Sequence, residues 1–355
     1  MADSDSADPG ARRSRWWRRR PLLASGLGLL ALVLVVAAVV VFTPLLDRDL
    51  ATDASPATTF DEAITLADDL RAADGDDVNP VCRSRVYDQG ERSDVAVVLL
   101  HGYTNCPQQW DAIAQAYVDA GFSVVVPRLP GHGEQDRLSP ALSDIGPDDL
   151  VATGDLAVDI AAGLGDEVWV AGLSGGGTLA GWLAAERDEI STAVLIAPLV
   201  APKVLPEFAV APVSRAFRFT PDVSLWWDSG LKEQLATPPY AYPRYTLRSL
   251  GAFLAVGRAT QHTEPRRETP LERLVVVTNE NDAAVSNAGV YDVERQLEQL
   301  LALDQPGVDR IDYVFADDLQ YKHDVIDPQG ENAENLDEIY PVLGPLIGLD
   351  DLSAP

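Results

Sequence analysis

A short apolar run, a serine held between glycines, and a helical pattern follow one another without a break across residues 168–186. Val168 to Ala171 has the length and β-branched character of a buried strand. Gly176 to Glu186 has the composition of a helix. Gly172-Leu173-Ser174-Gly175-Gly176 joins them. A chain that passes from strand to helix in so few residues must turn sharply, and glycine is the residue that tolerates both the backbone geometry and the close packing.

The same alternation recurs on both sides. Val95 to Leu100, Phe122 to Val126, Thr192 to Ile196, Leu274 to Thr278 and Ile311 to Phe315 read as short continuous apolar strands. Between them, Trp110 to Ala120, Asp148 to Leu164 and Ala288 to Leu301 have helical spacing, and Leu336 to Leu346 reads as a closing helix interrupted by Pro341. Strands buried on both faces and alternating with helices specify a mostly parallel sheet with helices on either side. Residues 199 to about 268 break the rhythm with many prolines, Trp226, Trp227, Tyr240, Tyr242 and Tyr245. That stretch is expected to be an inserted, mostly helical cap, without a clean strand. The 355 residues suffice for one large α/β domain with such an insertion.

The beginning of the chain is different in kind. Residues 12–20 hold six arginines, and Pro21 to Phe42 contains no charged residue. As a helix this run would span about 33 Å, enough for a bilayer core of roughly 30 Å. The arginine excess before it predicts a cytoplasmic N-terminus and export of everything after it. The run is longer than the apolar part of a cleaved signal peptide, and the sequence after it is a poor cleavage site. The expected organisation is therefore a basic cytoplasmic segment (1–20), a transmembrane signal anchor (21–43), a linker with an amphipathic helix near residues 60–73 (44–80), and the α/β domain with its insertion (81–348). Asp47 to about Phe60 is expected to be an exposed linker.

The net charge of −28 argues against nucleic-acid binding, which needs a basic face. A high-salt source and a compositional bias without functional meaning both fit the acidic excess. Neither a metal motif nor a phosphate-binding glycine loop is visible, and no cofactor is implied.

A serine hydroxyl is a weak nucleophile and needs a base. Four histidines are available. His101 and His132 precede Ser174 in glycine turns, and His262 lies in the expected cap. His323 follows the last strand in Tyr321-Lys322-His323-Asp324, and it alone suits the order nucleophile, acid, base with a good loop position; His262 is the fallback. The acid is expected after the strand 274–278, where Asp282 is preferred over Glu280. Asp282 could equally cap the helix expected to follow it. The oxyanion donors expected are the N–H of Gly175 and the N–H of Tyr103 in His101-Gly102-Tyr103-Thr104. His101 is expected to hold that loop and transfer no proton.

The runs Leu99-Leu100-His101-Gly102-Tyr103-Thr104-Asn105, Pro127-Arg128-Leu129-Pro130-Gly131-His132-Gly133 and Gly172-Leu173-Ser174-Gly175-Gly176, with the Asp282 and His323 loops, resemble the carboxylesterase and monoglyceride-lipase branch of the α/β-hydrolase superfamily. The resemblance spans about residues 84–347. It implies an α/β-hydrolase fold with a small helical cap lining an acyl pocket, a triad of Ser174, Asp282 and His323, oxyanion donors at Tyr103 and Gly175, and a small-molecule or lipid ester as substrate. Gly176 followed by Gly177 departs from the pattern as a looser helix start.

Cys82 and Cys106 are the only cysteines. In an exported domain they can bond. A bridge is expected, closing a loop of about 25 residues worth roughly 3 kcal/mol and bracing the oxyanion loop; two unrelated thiols are the alternative.

Three function classes remain open on the sequence. An ester hydrolase is the first. An acyltransferase or thioesterase with the same triad is the second, and a non-catalytic membrane-tethered binding protein the third.

Overall fold

The computed structural model describes residues 21–42, 50–218, 221, 223–230, 238–260, 270–287 and 308–355. The chain divides into two units, Met1–Asp47 and Arg48–Pro355. In the first, α1 runs Pro21–Phe42. Its side chains are described over 25–39, and among the described residues no helix is long and apolar enough to cross a membrane. The expected transmembrane span at 21–43 therefore finds no support in the described residues, and the arginines of 12–20 lie outside them.

The second unit is built on a seven-stranded sheet. Its strands are β1 (Arg85–Tyr87), β2 (Ser93–Leu100), β3 (Ser123–Val126), β4 (Gly165–Leu173), β5 (Ile190–Ile196), β8 (Arg273–Asn279) and β9 (Asp309–Phe315), in the order β1-β3-β2-β4-β5-β8-β9. Only β1 runs antiparallel to its neighbour. Among the described residues its helices are α2 (Phe60–Ala72), α3 (Asp111–Asp119), α4 (Pro147–Leu164), α5 (Gly175–Glu186), α6 (Glu207–Arg218), α7 (Leu247–Thr260) and α8 (Leu336–Ile347).

The reason for two cores is visible in β2. Ala96, Val98 and Leu100 enter the cluster that includes residues of α2, α4, α5 and α7. Val95, Val97 and Leu99 enter the opposite cluster with residues of α3 and α8. Successive side chains of a strand point to opposite faces. A strand apolar at every position must therefore be covered twice, which is what a parallel sheet with helices on both sides provides.

Three expectations need correction. The stretch 199–268 is not without strands: β6 (Ser224–Trp226) and β7 (Arg244–Thr246) pair antiparallel. Three-residue strands are too short to show a period of two. Its last helix, α7, is core rather than lid, since Ala252, Phe253, Leu254 and Val256 are fully buried. The closing helix α8 runs through both Pro341 and Pro345. Its apolar face (Leu336, Ile339, Tyr340, Leu343 and Ile347) is buried, and that packing outweighs the local cost of proline. The helix expected at Ala288 to Leu301 lies outside the described residues.

The third correction concerns the expected exposed linker. Arg187 is fully buried and pairs with Asp155 (3.0 Å), Asp159 (2.5 Å) and Glu189 (2.9 Å). The remaining carboxylate valence of Asp155 and Asp159 accepts from Thr52 Oγ1 (2.8 Å) and from the Asp53 and Ser55 N–H groups (3.1 Å each). Ala57 donates to the Asp159 carbonyl at 3.0 Å and is buried. Residues 52–57 are thus docked along α4, because a buried ionic cluster must have all its hydrogen-bonding capacity met. α2 follows, capped by Thr59 Oγ1 accepting from the Glu62 N–H at 3.2 Å.

Candidate active site

Because β2, β4, β5, β8 and β9 are parallel, their C-terminal ends share one edge of the sheet, the place where open α/β sheets bind ligands. Ser174 leaves the end of β4, Asp282 the end of β8, His323 the end of β9 and His101 the end of β2.

Ser174 has φ +56° and ψ −115°, a strained conformation for a residue with a Cβ. Two contacts impose it. The Ser174 N–H donates to the Ile196 carbonyl at 2.8 Å, and the Ser174 carbonyl accepts from Leu199 at 3.0 Å, so the end of β5 grips both sides of the residue. The turn also demands absent side chains. A Cβ on Gly172 would stand 2.2 Å from the Gly176 carbonyl oxygen, and one on Gly176 would stand 2.0 Å from that of Leu100. Gly177, expected to loosen the helix start, does the reverse: a Cβ there would come within 2.9 Å of the Gly172 carbonyl oxygen. The third glycine lets the helix pack tightly under the serine.

His323 Nδ1 bonds Asp282 Oδ2 at 2.6 Å, with Asp282 wholly buried and His323 about one-fifth exposed (19 %). A carboxylate can only accept, so the proton sits on Nδ1 and Nε2 carries the lone pair. Burial, the largest influence, pulls the His323 pKa down. The hydrogen bond and charge of Asp282, with the charges of Asp324 and Glu331, more than offset it and leave the imidazole above its ordinary value. For Asp282 the burial cost is again the largest influence, yet the bond and charge of His323 and the N–H groups of Val285 and Ala284 hold it below the usual carboxylate range. The helix that Asp282 is expected to cap lies outside the described residues, and within them the two Asp282 oxygens divide their work. One oxygen orients the imidazole, and the other accepts from the Ala284 (2.7 Å) and Val285 (3.0 Å) N–H groups to shape its own turn. Glu280 instead accepts from the Asp317 N–H at 3.0 Å. His262 lies outside the described residues.

Three asparagines secure the histidine loop, and nothing in the sequence marks them. Asn279 donates to the carbonyls of Tyr321 (2.8 Å) and Lys322 (3.1 Å), and Asn281 to that of Tyr321 (3.0 Å). Asn332 donates to the carbonyls of Lys322 (2.9 Å) and Asp324 (2.6 Å) and accepts from the Lys322 N–H. Their amides replace the sheet hydrogen bonds that end with β8 and β9.

The Tyr103 N–H belongs to the same peptide plane as the Gly102 carbonyl. That carbonyl accepts from His101 Nδ1 at 3.0 Å and from the Asn105 N–H at 3.1 Å. A trans peptide points its N–H opposite to its C=O, so these bonds fix the direction of the Tyr103 N–H. His101 is fully buried, and its Nε2 accepts from the Leu129 N–H at 3.0 Å. Burial, with the charge of His132 next, pushes its pKa well below the ordinary value. It is a neutral strut between two loops. Gly175 adjoins Tyr103: a Cβ added to it would stand 3.2 Å from Tyr103 Cβ. The two N–H groups expected as a pair thus belong to residues in contact.

The Tyr103 side chain turns the other way, into the insertion. Its hydroxyl meets the Thr246 carbonyl (2.9 Å) and Ser249 Oγ (2.6 Å) and accepts from the Thr246 N–H (3.2 Å). The ring packs against Phe253, Trp227 and Tyr245 with centroids 5.0, 6.0 and 6.3 Å away. Thr104, at φ +67°, accepts from Trp227 Nε1 (2.9 Å) and through its carbonyl from the Tyr242 N–H (2.8 Å). Four residues of the insertion, Thr246, Ser249, Trp227 and Tyr242, thus hydrogen-bond the loop after β2.

Cys82 and Cys106 form a disulfide whose Cα atoms lie 5.2 Å apart. It fastens the residue after Asn105 to the segment preceding β1. Gly133, at φ +70°, packs on it, where a Cβ would come within 2.5 Å of Cys82 Cβ. Among the described residues no group of three or more His, Cys, Asp or Glu side chains is arranged to hold a metal ion.

A thermostable monoacylglycerol lipase from a Bacillus species is 33% identical over 108 residues, covering 28% of this chain and 39% of its own. A pimeloyl-[acyl-carrier protein] methyl ester esterase from Aromatoleum aromaticum is 32% identical over 172 residues, 47% of this chain and 58% of its own. The chain thus matches less than three-fifths of the length of these curated relatives. The crystal structure of a monoacylglycerol lipase from Paleococcus ferrophilus superposes with a TM-score of 0.53 at 19% identity, over 75% of this chain and 98% of that one, and so shares the fold. The family model described as the alpha/beta hydrolase family matches residues 97–317, more than half of the 355. The chain belongs to the alpha/beta hydrolase family.

Proposed function

We propose that this chain is a serine hydrolase that cleaves carboxylic esters, with Ser174 as nucleophile, His323 as base and Asp282 as the residue that orients the base. The observation that carries the reading is the bond from His323 Nδ1 to Asp282 Oδ2 at the sheet edge where Ser174 holds a strained turn. With Nδ1 committed, Nε2 takes the Ser174 proton as Oγ attacks the ester carbonyl. The N–H groups of Tyr103 and Gly175 receive the developing oxyanion. His323 then protonates the leaving alcohol, and water releases the acyl group by the same steps. The two curated relatives, named as a lipase and a methyl ester esterase, support ester hydrolysis. The aromatic side of the insertion (Trp227, Tyr245 and Phe253 around Tyr103) supports an apolar acyl chain.

The reading places the enzyme outside the cytoplasmic membrane on an N-terminal anchor at residues 21–43. The uncharged run Pro21 to Phe42 behind six arginines supports the anchor. The Cys82–Cys106 disulfide supports an oxidising compartment. A fluorophosphonate probe tests the chemistry: it should label the wild type and not Ser174→Ala, and labelling that survives the substitution sinks the nucleophile assignment. Protease added outside intact spheroplasts tests the topology: the domain should be digested, and full protection reverses it.

A further inference from the structure

The oxyanion donor and the base reach the site from distant strands. Tyr103 follows β2 and His323 follows β9, and β4, β5 and β8 lie between them in the sheet. No strand ladder links the two loops directly, yet catalysis needs both within reach of one carbonyl group, and misplacement by about 1 Å can cost roughly 100-fold.

One side chain spans the gap. Gln109 sits on the single turn Pro107–Trp110 and is almost fully buried. Its Oε1 accepts from the Gly102 N–H at 2.7 Å, one residue before the oxyanion donor. Its Nε2 donates to Asp324 Oδ2 at 2.7 Å, one residue after the base. The other Asp324 oxygen accepts from the Ile326 and Asp327 N–H groups at 3.1 Å each, so the carboxylate is itself pinned to the turn that carries His323. Gly102 and Asp324 make opposite demands, and a flipped amide would meet a donor with a donor and an acceptor with an acceptor.

We propose, on the reading of the site given above, that Gln109 is a positioning residue that sets the Tyr103 oxyanion donor in register with His323. It touches no reacting atom. Its work is to convert two independent loops into one frame.

A reversed bridge tests this. In Gln109→Glu the Gly102 N–H keeps its acceptor, but two carboxylates face each other and the strut breaks. In Gln109→Glu combined with Asp324→Asn, the new amide donates to the new carboxylate and the strut returns with its polarity inverted. Hydrolysis of p-nitrophenyl acetate and inhibition by a trifluoromethyl ketone, which mimics the tetrahedral intermediate, are measured beside thermal unfolding. For Gln109→Glu, kcat should fall about 10- to 100-fold with KM within about threefold, and the inhibition constant should rise with the loss in kcat/KM. The double variant should recover kcat to within about threefold of the wild type. A single variant with kcat within twofold of the wild type overturns the proposal, as does a folded double variant that recovers nothing. Gln109→Met, uncharged and of similar volume, guards against a charge-induced folding failure: it should show the same loss of kcat at constant KM, and unchanged kcat overturns the proposal. A wild type without esterase turnover sinks the reading of the whole site, whereas an active wild type with unaffected Gln109 variants sinks this inference alone.

Discussion

His323 Nδ1 and Asp282 Oδ2 lie 2.6 Å apart although 41 residues separate them in the chain. The bond raises His323 above its ordinary value of 6.5 and lowers Asp282 below 3.8. The base works when neutral, so kcat/KM should climb with pH through a midpoint above 6.5. In Asp282→Asn, burial acts on the imidazole without the compensating charge. The midpoint should move down in pH, and kcat should drop about 10⁴-fold. A pH–rate profile of both proteins checks this; a midpoint that stays put disproves the pairing. The stability effect has a window. The raised His323 stabilises below its unfolded value and loses this as pH rises through its folded one. The lowered Asp282 stabilises above its unfolded value and loses this as pH falls. The cost of Asp282→Asn in urea unfolding should therefore be greatest between about pH 4 and 6.5.

Replacing the proposed base tests the chemistry directly. His323→Ala should lose at least about 10³-fold in kcat on short p-nitrophenyl esters. Activity retained in that variant would reassign the base to His262.

Tyr103→Phe keeps the ring and removes the hydroxyl that meets Thr246 and Ser249. Those partners are buried, so the loss should cost about 1–3 kcal/mol in chemical denaturation. Because the proposed oxyanion N–H belongs to the same residue, kcat should fall as well. Stability lost with kcat unchanged would uncouple the insertion from the donor loop.

Reduction of the Cys82–Cys106 bridge opens a loop whose ends are 24 residues apart. Stability should fall by roughly 3 kcal/mol, read as a lower urea midpoint in the presence of a reductant. An unchanged midpoint would show that the hydrogen bonds of the donor loop hold it without the bridge.

Arg187→Leu leaves Asp155, Asp159 and the docked residues 52–57 around an uncompensated buried charge. The cost should be about 3–5 kcal/mol. Calorimetry of the purified variant measures it.

The parts of this molecule legible in the sequence are those that local chemistry enforces. Ser174 could be read because a strand, two glycines and a helix must adjoin wherever such a turn exists. The pairing of His323 with Asp282 could be read because few histidines compete and chain order is informative. Asn279, Asn281, Asn332 and Gln109 could not. Amides are common on surfaces, and what distinguishes these four is where their partners stand, which only the folded chain decides. The strands β6 and β7 escaped for another reason, since three residues carry no period. The docked segment 52–57 reads as a linker because its composition is that of one; its own backbone N–H groups donate to the carboxylates of a helix about a hundred residues away.

That docking moves the boundary of the folded body. A protein begun at the first strand, or even at α2, would uncover Asp155 and Asp159 with acceptors unmet beside a buried guanidinium, and would lose the packing of Leu50 and Ala57. A shortened protein that keeps this body intact must therefore start no later than Leu50. A protease that trims the chain should stop on the N-terminal side of Thr52, so that limited digestion reads out where the folded body begins.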